Sequence, residues 1–104
     1  KQIMDCVFCN MAKEVIIMNN ELAFVIKDKF PQSKGHVLII PYRHFENYFD
    51  STKEELEAIS ELLYKMKEFS DKEFNPKAYN VIVNAGKEAG QIVMHSHIHL
   101  IPRY

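Results

Sequence analysis

A chain of 104 residues is long enough for one domain with a single core and too short for a second. Thirteen Lys and Arg oppose fourteen Asp and Glu, a balance that argues against electrostatic binding of nucleic acid or of a membrane surface and leaves a small anionic substrate open. No apolar run approaches the roughly 20 residues needed to span a bilayer, and Lys1-Gln2-Ile3 lacks the layout of a secretory signal, so a cytoplasmic location is expected.

In chain order, the two cysteines come first, as Cys6-Val7-Phe8-Cys9. In a reducing compartment such a pair reads as metal-binding or redox-active rather than as a staple. Val15 to Met18, the turn formers Asn19-Asn20, and Leu22 to Ile26 then read as a hairpin. A loop over 31–35 leads into His36-Val37-Leu38-Ile39-Ile40, a β-rich run closed by Pro41, which places His36 at a strand entrance. The period changes next. Leu56, Ile59, Leu62, Leu63, Met66 and Phe69 form a helical stripe suited to packing on a sheet. Ser51 and Glu54 are spaced as its capping box, and Pro76 follows its end. Tyr79 to Asn84 alternates Asn80 and Asn84 against Val81 and Val83, a strand with one partly polar face that makes Asn84 a candidate site residue. The turn 85–90 carries two glycines and returns the chain through Gln91 to Ile101 as the last strand. The expected architecture is α+β, an antiparallel sheet of about five strands with one long helix packed on it. Residues 1–104 form one domain. Without an initiator Met, and with a stop directly after Pro102-Arg103-Tyr104, truncation is expected, with a functional tail beyond the C-terminus.

His95-Ser96-His97-Ile98-His99 is the chemically distinctive segment. Alternate residues of a strand share a face, so these three imidazoles would stand in one row, roughly 6.5 Å apart. Imidazole can serve as nucleophile, acid, base or metal ligand near neutrality. Spacing alone leaves two chemistries open. One is a metal site using two histidines two apart, although the motif holds no carboxylate. The other is attack on phosphorus by a central histidine while its neighbours orient and stabilise.

Around that motif the chain resembles the histidine triad (HIT) superfamily. The resemblance rests on His95, His97 and His99 with Ile98, Leu100 and Ile101, on the flanking Gly90-Gln91 and Pro102-Arg103-Tyr104, and on Asn84-Ala85-Gly86. The run from Gly35 to Pro41 extends it, so that it covers nearly all of the chain from Cys6 onward. By its cysteine pair and its Ile-Pro-Arg-Tyr ending, the chain is most similar to small bacterial-type members related to dinucleoside polyphosphate hydrolases.

The resemblance implies a nucleotide hydrolase or transferase acting at an α-phosphate of dinucleoside polyphosphates or nucleoside phosphoramidates through a nucleotidyl-histidine. His97 would be the nucleophile, His99 and Gln91 donors to phosphoryl oxygens, and His36 a support for the triad. Asp28 would accept the ribose hydroxyls, Asn84 would contact phosphate or sugar, and Phe8 and Ile26 would flank the base. It also implies a structural zinc held by Cys6, Cys9, His44 and His95, and a two-fold homodimer. A thioredoxin-like role for the cysteine pair would need a preceding strand and a following helix, which are not evident.

Departures from the family pattern matter as well. Ile92 stands where many relatives carry Ser or Thr, which puts a phosphate or leaving-group contact in question and keeps open a nucleotide-binding or scaffold protein with incidental hydrolysis. Ser96 replaces a usually apolar residue, and the segment 10–14 is short, so a trimmed first hairpin is expected. A third reading, in which the triad itself binds a catalytic metal, predicts that activity vanishes with the metal.

Overall fold

The computed structural model describes residues 5–104; Lys1-Gln2-Ile3 lies outside them. Strands β1 (Ile16–Asn19), β2 (Ala23–Lys27), β3 (Val37–Pro41), β4 (Ala78–Ile82) and β5 (Ile98–Arg103) form one sheet in the order β1-β2-β3-β5-β4. Every neighbouring pair is antiparallel. Among the described residues the single α-helix, α1 (Lys53–Phe74), connects β3 to β4.

Period-2 alternation assigns the strand residues to two faces. Ala23, Val25, Val37, Ile39, Ile98 and Leu100 pack with Ile59, Leu62 and Met66 of α1 into the larger core cluster. Phe24, Ile26, Leu38 and Ile40 turn the other way and pack with Phe8 from the N-terminal segment. β2 and β3 therefore bury both faces, which explains their unbroken apolar runs. Each of the larger buried side chains among these contributes roughly 1.5–3 kcal/mol relative to exposure. Because His99 pairs with Leu38 and with Ile82, its side chain lies on the face opposite the helix. The functional residues occupy that second face.

Two expectations at α1 need correction. The capping box is Thr52 with Glu55, one residue beyond Ser51 and Glu54: the Thr52 hydroxyl accepts from the Glu55 N–H, and Glu55 Oε1 accepts from the Thr52 N–H. Ser51 instead donates its hydroxyl to the Tyr48 carbonyl. The packed stripe is Glu55, Ile59, Leu62, Met66 and Ser70, while Leu56 and Phe69 are 39% and 49% exposed. The helix ends on Asn75, whose left-handed φ of 51° turns its N–H back to the Ser70 and Asp71 carbonyls before Pro76.

The last strand is shorter than the expected span of residues 91–101. Pairing with β3 and β4 begins at Ile98 and His99, so His95 and His97 lie in the irregular segment that feeds β5, and only His99 is a strand residue. Asn84 likewise follows β4 rather than belonging to it. At the other end of the site, Gly35 (φ 89°) is required by space as well as conformation, since a β-carbon there would come within 2.9 Å of the Phe74 ring.

Candidate active site and metal centre

His97 is 8% exposed, and its Nδ1 donates to the His95 carbonyl oxygen at 2.7 Å. That bond fixes the tautomer: Nδ1 carries the hydrogen, and Nε2 keeps a free lone pair. The His97 and His99 rings are 5.2 Å apart and steeply inclined, closer than the spacing along a regular strand. A second chain of bonds sets His99. The Gln32 N–H donates to His36 Nδ1 at 3.0 Å, so the neutral His36 ring carries its hydrogen on Nε2. That hydrogen is shared between His99 Nδ1 at 3.0 Å and Asp28 Oδ2 at 3.2 Å. With Nδ1 accepting, His99 presents Nε2–H as a donor. One imidazole thus has a free lone pair and its neighbour an N–H, the pairing that attack on a phosphoryl centre needs.

Asp28 is drawn toward this pair. Its Oδ1 accepts from the Phe30 N–H at 2.8 Å and its Oδ2 is also 3.8 Å from His99 Nδ1, so it is part of the cluster and not a solvated loop residue. Gln91 departs from the expected role. Its Oε1 accepts from the Gly86 N–H, and its amide nitrogen donates to the Glu46 and Val93 carbonyls, which commits both hydrogens to the backbone. Gln91 therefore ties the 86–93 loop to the loop at Glu46 and has no hydrogen left for a phosphate. Asn84 stands beside Gly90, its amide carbon 4.0 Å from where a β-carbon of Gly90 would be. Phe8 and Ile26 are packed into one apolar cluster, each 7% exposed, with Phe8 edge-on to His97 at 5.2 Å and to His95 at 5.7 Å. Ile92 is 89% exposed.

Two groups of ligand atoms converge among the described residues: Cys6, Cys9, His44 and His95, and Asp28, His36 and His99, each within 4.8 Å. Tautomers distinguish them. His95 Nε2 donates to the Pro41 carbonyl at 2.8 Å, so Nδ1 faces its neighbours as a lone pair. From it His44 Nδ1, Cys6 Sγ and Cys9 Sγ are 3.1, 3.3 and 3.7 Å away, and Cys9 Sγ is 3.4 Å from His44 Nδ1. A tetrahedral zinc bonded at about 2.0–2.1 Å to nitrogen and about 2.3 Å to sulfur would hold such atoms roughly 3.3–3.8 Å apart. The four residues could hold a metal ion, and no disulfide joins the cysteines. In the second group His36 Nε2 carries a hydrogen, enforced by the Gln32 N–H, so a cation there would have to break that bond. This second group is a hydrogen-bond network rather than a metal site.

Burial holds His36, His95, His97 and His99 below the ordinary histidine value. Asp28 pulls His36, His97 and His99 the other way, while Arg103 lowers His36 and the neighbouring imidazoles lower His99. Neutral imidazole is the folded form at neutral pH. In the unfolded chain these histidines bind protons from about pH 6.5 downward, before the folded protein does. The stability so conferred is therefore complete above that value and is lost as the pH falls through the folded values. Thermal melts of the metal-free protein are expected to show a falling midpoint below about pH 6.5. A midpoint that rises on acidification would contradict this.

Sequence reading missed the parts that orient the site. Pro41 and His95 act through carbonyls, which every residue type offers, and Gln32 through its N–H, which every type but proline offers. Glu55 did leave a signal, as the charged residue at the head of the Ile59, Leu62, Met66 row.

Comparison with known proteins gives a consistent result. The HIT domain profile matches residues 10–104. An "uncharacterized 16.1 kDa HIT-like protein" of Mycoplasma pneumoniae is 38% identical, spanning 96% of this chain and 72% of its own length. The adenosine 5′-monophosphoramidase hnt1 of Schizosaccharomyces pombe is 35% identical over 96% of this chain and 75% of its own length. Among solved structures, a HIT family protein from Bacillus anthracis superposes with a TM-score of 0.89 at 34% identity, covering 97% of this chain and 74% of its own. A zinc-bound histidine triad family protein from Mycobacterium smegmatis gives 0.86 at 29% identity, covering 97% and 76%. Diadenosine triphosphate hydrolase from Plasmodium falciparum gives 0.86 at 30% identity, covering 90% and 64%.

Proposed function

This chain belongs to the HIT domain family, and from that membership we propose that it is a nucleotide hydrolase that cleaves at an α-phosphate through a nucleotidyl-histidine on His97. The carrying observation is the 2.7 Å bond from His97 Nδ1 to the His95 carbonyl, which leaves Nε2 unprotonated beside an N–H of His99. Relatives named as an adenosine monophosphoramidase and as a diadenosine triphosphate hydrolase support phosphoramidates and dinucleoside polyphosphates as substrate classes.

In this reading His97 Nε2 gives its electron pair to the α-phosphorus and the bond to the leaving group breaks. A phosphate-type group departs as its anion, and an amine leaves as the neutral amine by taking up one proton from solvent as the P–N bond breaks. The phosphorylated ring is cationic, and its Nδ1–H stays bonded to the His95 carbonyl. Water then attacks phosphorus, the P–N pair returns to His97, and the proton of the water passes to solvent. His99 donates to a phosphoryl oxygen where charge gathers, with His36 and Asp28 holding its tautomer. Asn84 is the proposed further polar contact, Asp28 meets the ribose, and the exposed edges of Phe8 and Ile26 meet the base. Zinc on Cys6, Cys9, His44 and His95 is the proposed structural metal; when bound it would hold the thiolates and tie the N-terminal segment to the histidine segment. A homodimer joined through sheet edges belongs to the same reading; β4 is an edge strand on which Val81 is 54% exposed. Among the described residues no helix is long and apolar enough to cross a membrane.

Ile92 favours a second reading. Almost wholly exposed, it offers no hydrogen bond to a leaving group, as a nucleotide-binding protein with incidental hydrolysis would allow. Adenosine 5′-phosphoramidate and diadenosine tri- and tetraphosphate, each incubated with the protein and assayed for AMP release, separate the two. Turnover of at least one substrate well above a His97→Ala control is the expected outcome. Nucleotide binding without turnover of any of them would replace the hydrolase with the binding protein.

A further inference from the structure

His44 enters the metal cluster from irregular chain just past the end of β3, where no strand ladder holds it. Its two chain neighbours are nevertheless both tied down. On one side, Arg43 makes a two-pronged contact with Glu55 of α1, Nε to Oε2 at 2.8 Å and a terminal nitrogen to Oε1 at 2.9 Å. The same guanidinium donates to the Asp50 carbonyl at 3.0 Å and lies 4.2 Å from the centre of the Phe45 ring. On the other side, the Phe45 carbonyl accepts from the Ser96 N–H at 2.8 Å, and Ser96 adjoins His95.

Glu55 is unusual for a capping residue. It is only 4% exposed, and its carboxylate holds both the Thr52 N–H and the Arg43 fork. A helix start needs the first of those bonds and not the second. The second bond has a different beneficiary. It fixes the loop one residue before His44, while the Phe45 to Ser96 bond fixes it one residue after and joins it to the segment that carries His95. The result is His44 Nδ1 at 3.1 Å from His95 Nδ1, near the spacing that a shared tetrahedral ion sets.

Building on the zinc reading above, we propose that the Arg43–Glu55 pair, its carboxylate buried and its guanidinium at the surface, is a positioning device for the metal centre, holding His44 beside His95 before the ion arrives. Placing a ligand in advance removes the ordering cost that a mobile loop would add to binding. Outer groups bonded directly to metal ligands typically change affinity by about 10–100-fold when removed, which sets the scale for a pair acting one residue away.

The test is zinc affinity of the full chain, measured by competition with a chromophoric chelator, with thermal melts of the metal-free proteins alongside. Glu55→Gln keeps an acceptor for the Thr52 N–H but loses the charged fork, and about 10–100-fold weaker zinc binding is expected. Arg43→Lys keeps the charge without the fork; it should also weaken binding, and it serves if Glu55→Gln folds poorly. Thr52→Ala removes the cap and should lower the melting temperature while leaving zinc affinity unchanged. Wild-type affinity in both Glu55→Gln and Arg43→Lys would overturn the proposal. Equal weakening in Thr52→Ala would do so as well, because affinity would then follow helix stability alone. A wild-type chain that binds no zinc overturns the zinc reading itself, a different result from zinc that binds but ignores the pair.

Discussion

Replacing His97 with alanine is expected to abolish turnover while leaving nucleotide binding within a few-fold of wild type. The whole covalent route passes through one nitrogen, His97 Nε2, whose lone pair is available because Nδ1 is bonded to the His95 carbonyl. No neighbour can replace it. His99 Nδ1 is taken up by His36, and His95 Nδ1 faces the cysteines and His44. Loss of a nucleophile that acts as part of a unit typically costs about four orders of magnitude or more in kcat. His97→Gln retains more of the volume of this nearly buried side chain and should be equally inactive, which separates lost chemistry from a collapsed site. Retention of more than about one per cent of wild-type kcat in either variant would place the nucleophile elsewhere.

Removing the metal is expected to act on stability far more than on chemistry. Cys6→Ser or Cys9→Ser should bind no zinc at purification yet fold, because the sheet and α1 have a core that does not draw on the cluster. At free zinc a thousandfold above its dissociation constant, the ion would contribute about 4 kcal/mol to the wild type. In a domain of this size that corresponds to a fall in melting temperature of roughly 15–30 °C. Burial pushes the Cys6 thiol up, so without a cation it is protonated and takes no part in attack. Some turnover should survive, since His97, His99 and His36 take their orientation from backbone groups and from one another. Complete inactivity in a folded, zinc-free variant would instead point to a metal that takes part in the reaction.

How far the sequence carried these conclusions depended on what kind of group did the work. Strands β2 and β3 and helix α1 were readable because burial imposes a period on side chains, and side chains are what a sequence records. The capping box slipped by one residue because Ser51 and Thr52 are both good caps; the choice fell to Glu55, which bonds the Thr52 hydroxyl through its N–H and pairs with Arg43. The even row of three histidines failed for a related reason. Ser96 N–H bonds to Phe45 and His97 Nδ1 to the His95 carbonyl, which holds the first two histidines out of the ladder that His99 joins. Gln91 has the residue type of a phosphate donor, and only its three backbone partners reveal it as a loop tie. Cys6, Cys9, His44 and His95, by contrast, were named together from the family resemblance, and the fold brings them within bonding range of one ion.

The most direct test of the central claim is to catch the intermediate. Rapid quench of the protein into alkaline denaturant during turnover of adenosine 5′-phosphoramidate, followed by peptide mass spectrometry kept at a pH that preserves phosphorus–nitrogen bonds, would read it out. An adenylyl group on the peptide containing His97, localised to that residue and absent from His97→Gln, is the result predicted. Adenylyl groups on His95 or His99 with His97 unmodified would contradict it, as would steady turnover with no covalent adduct at any quench time.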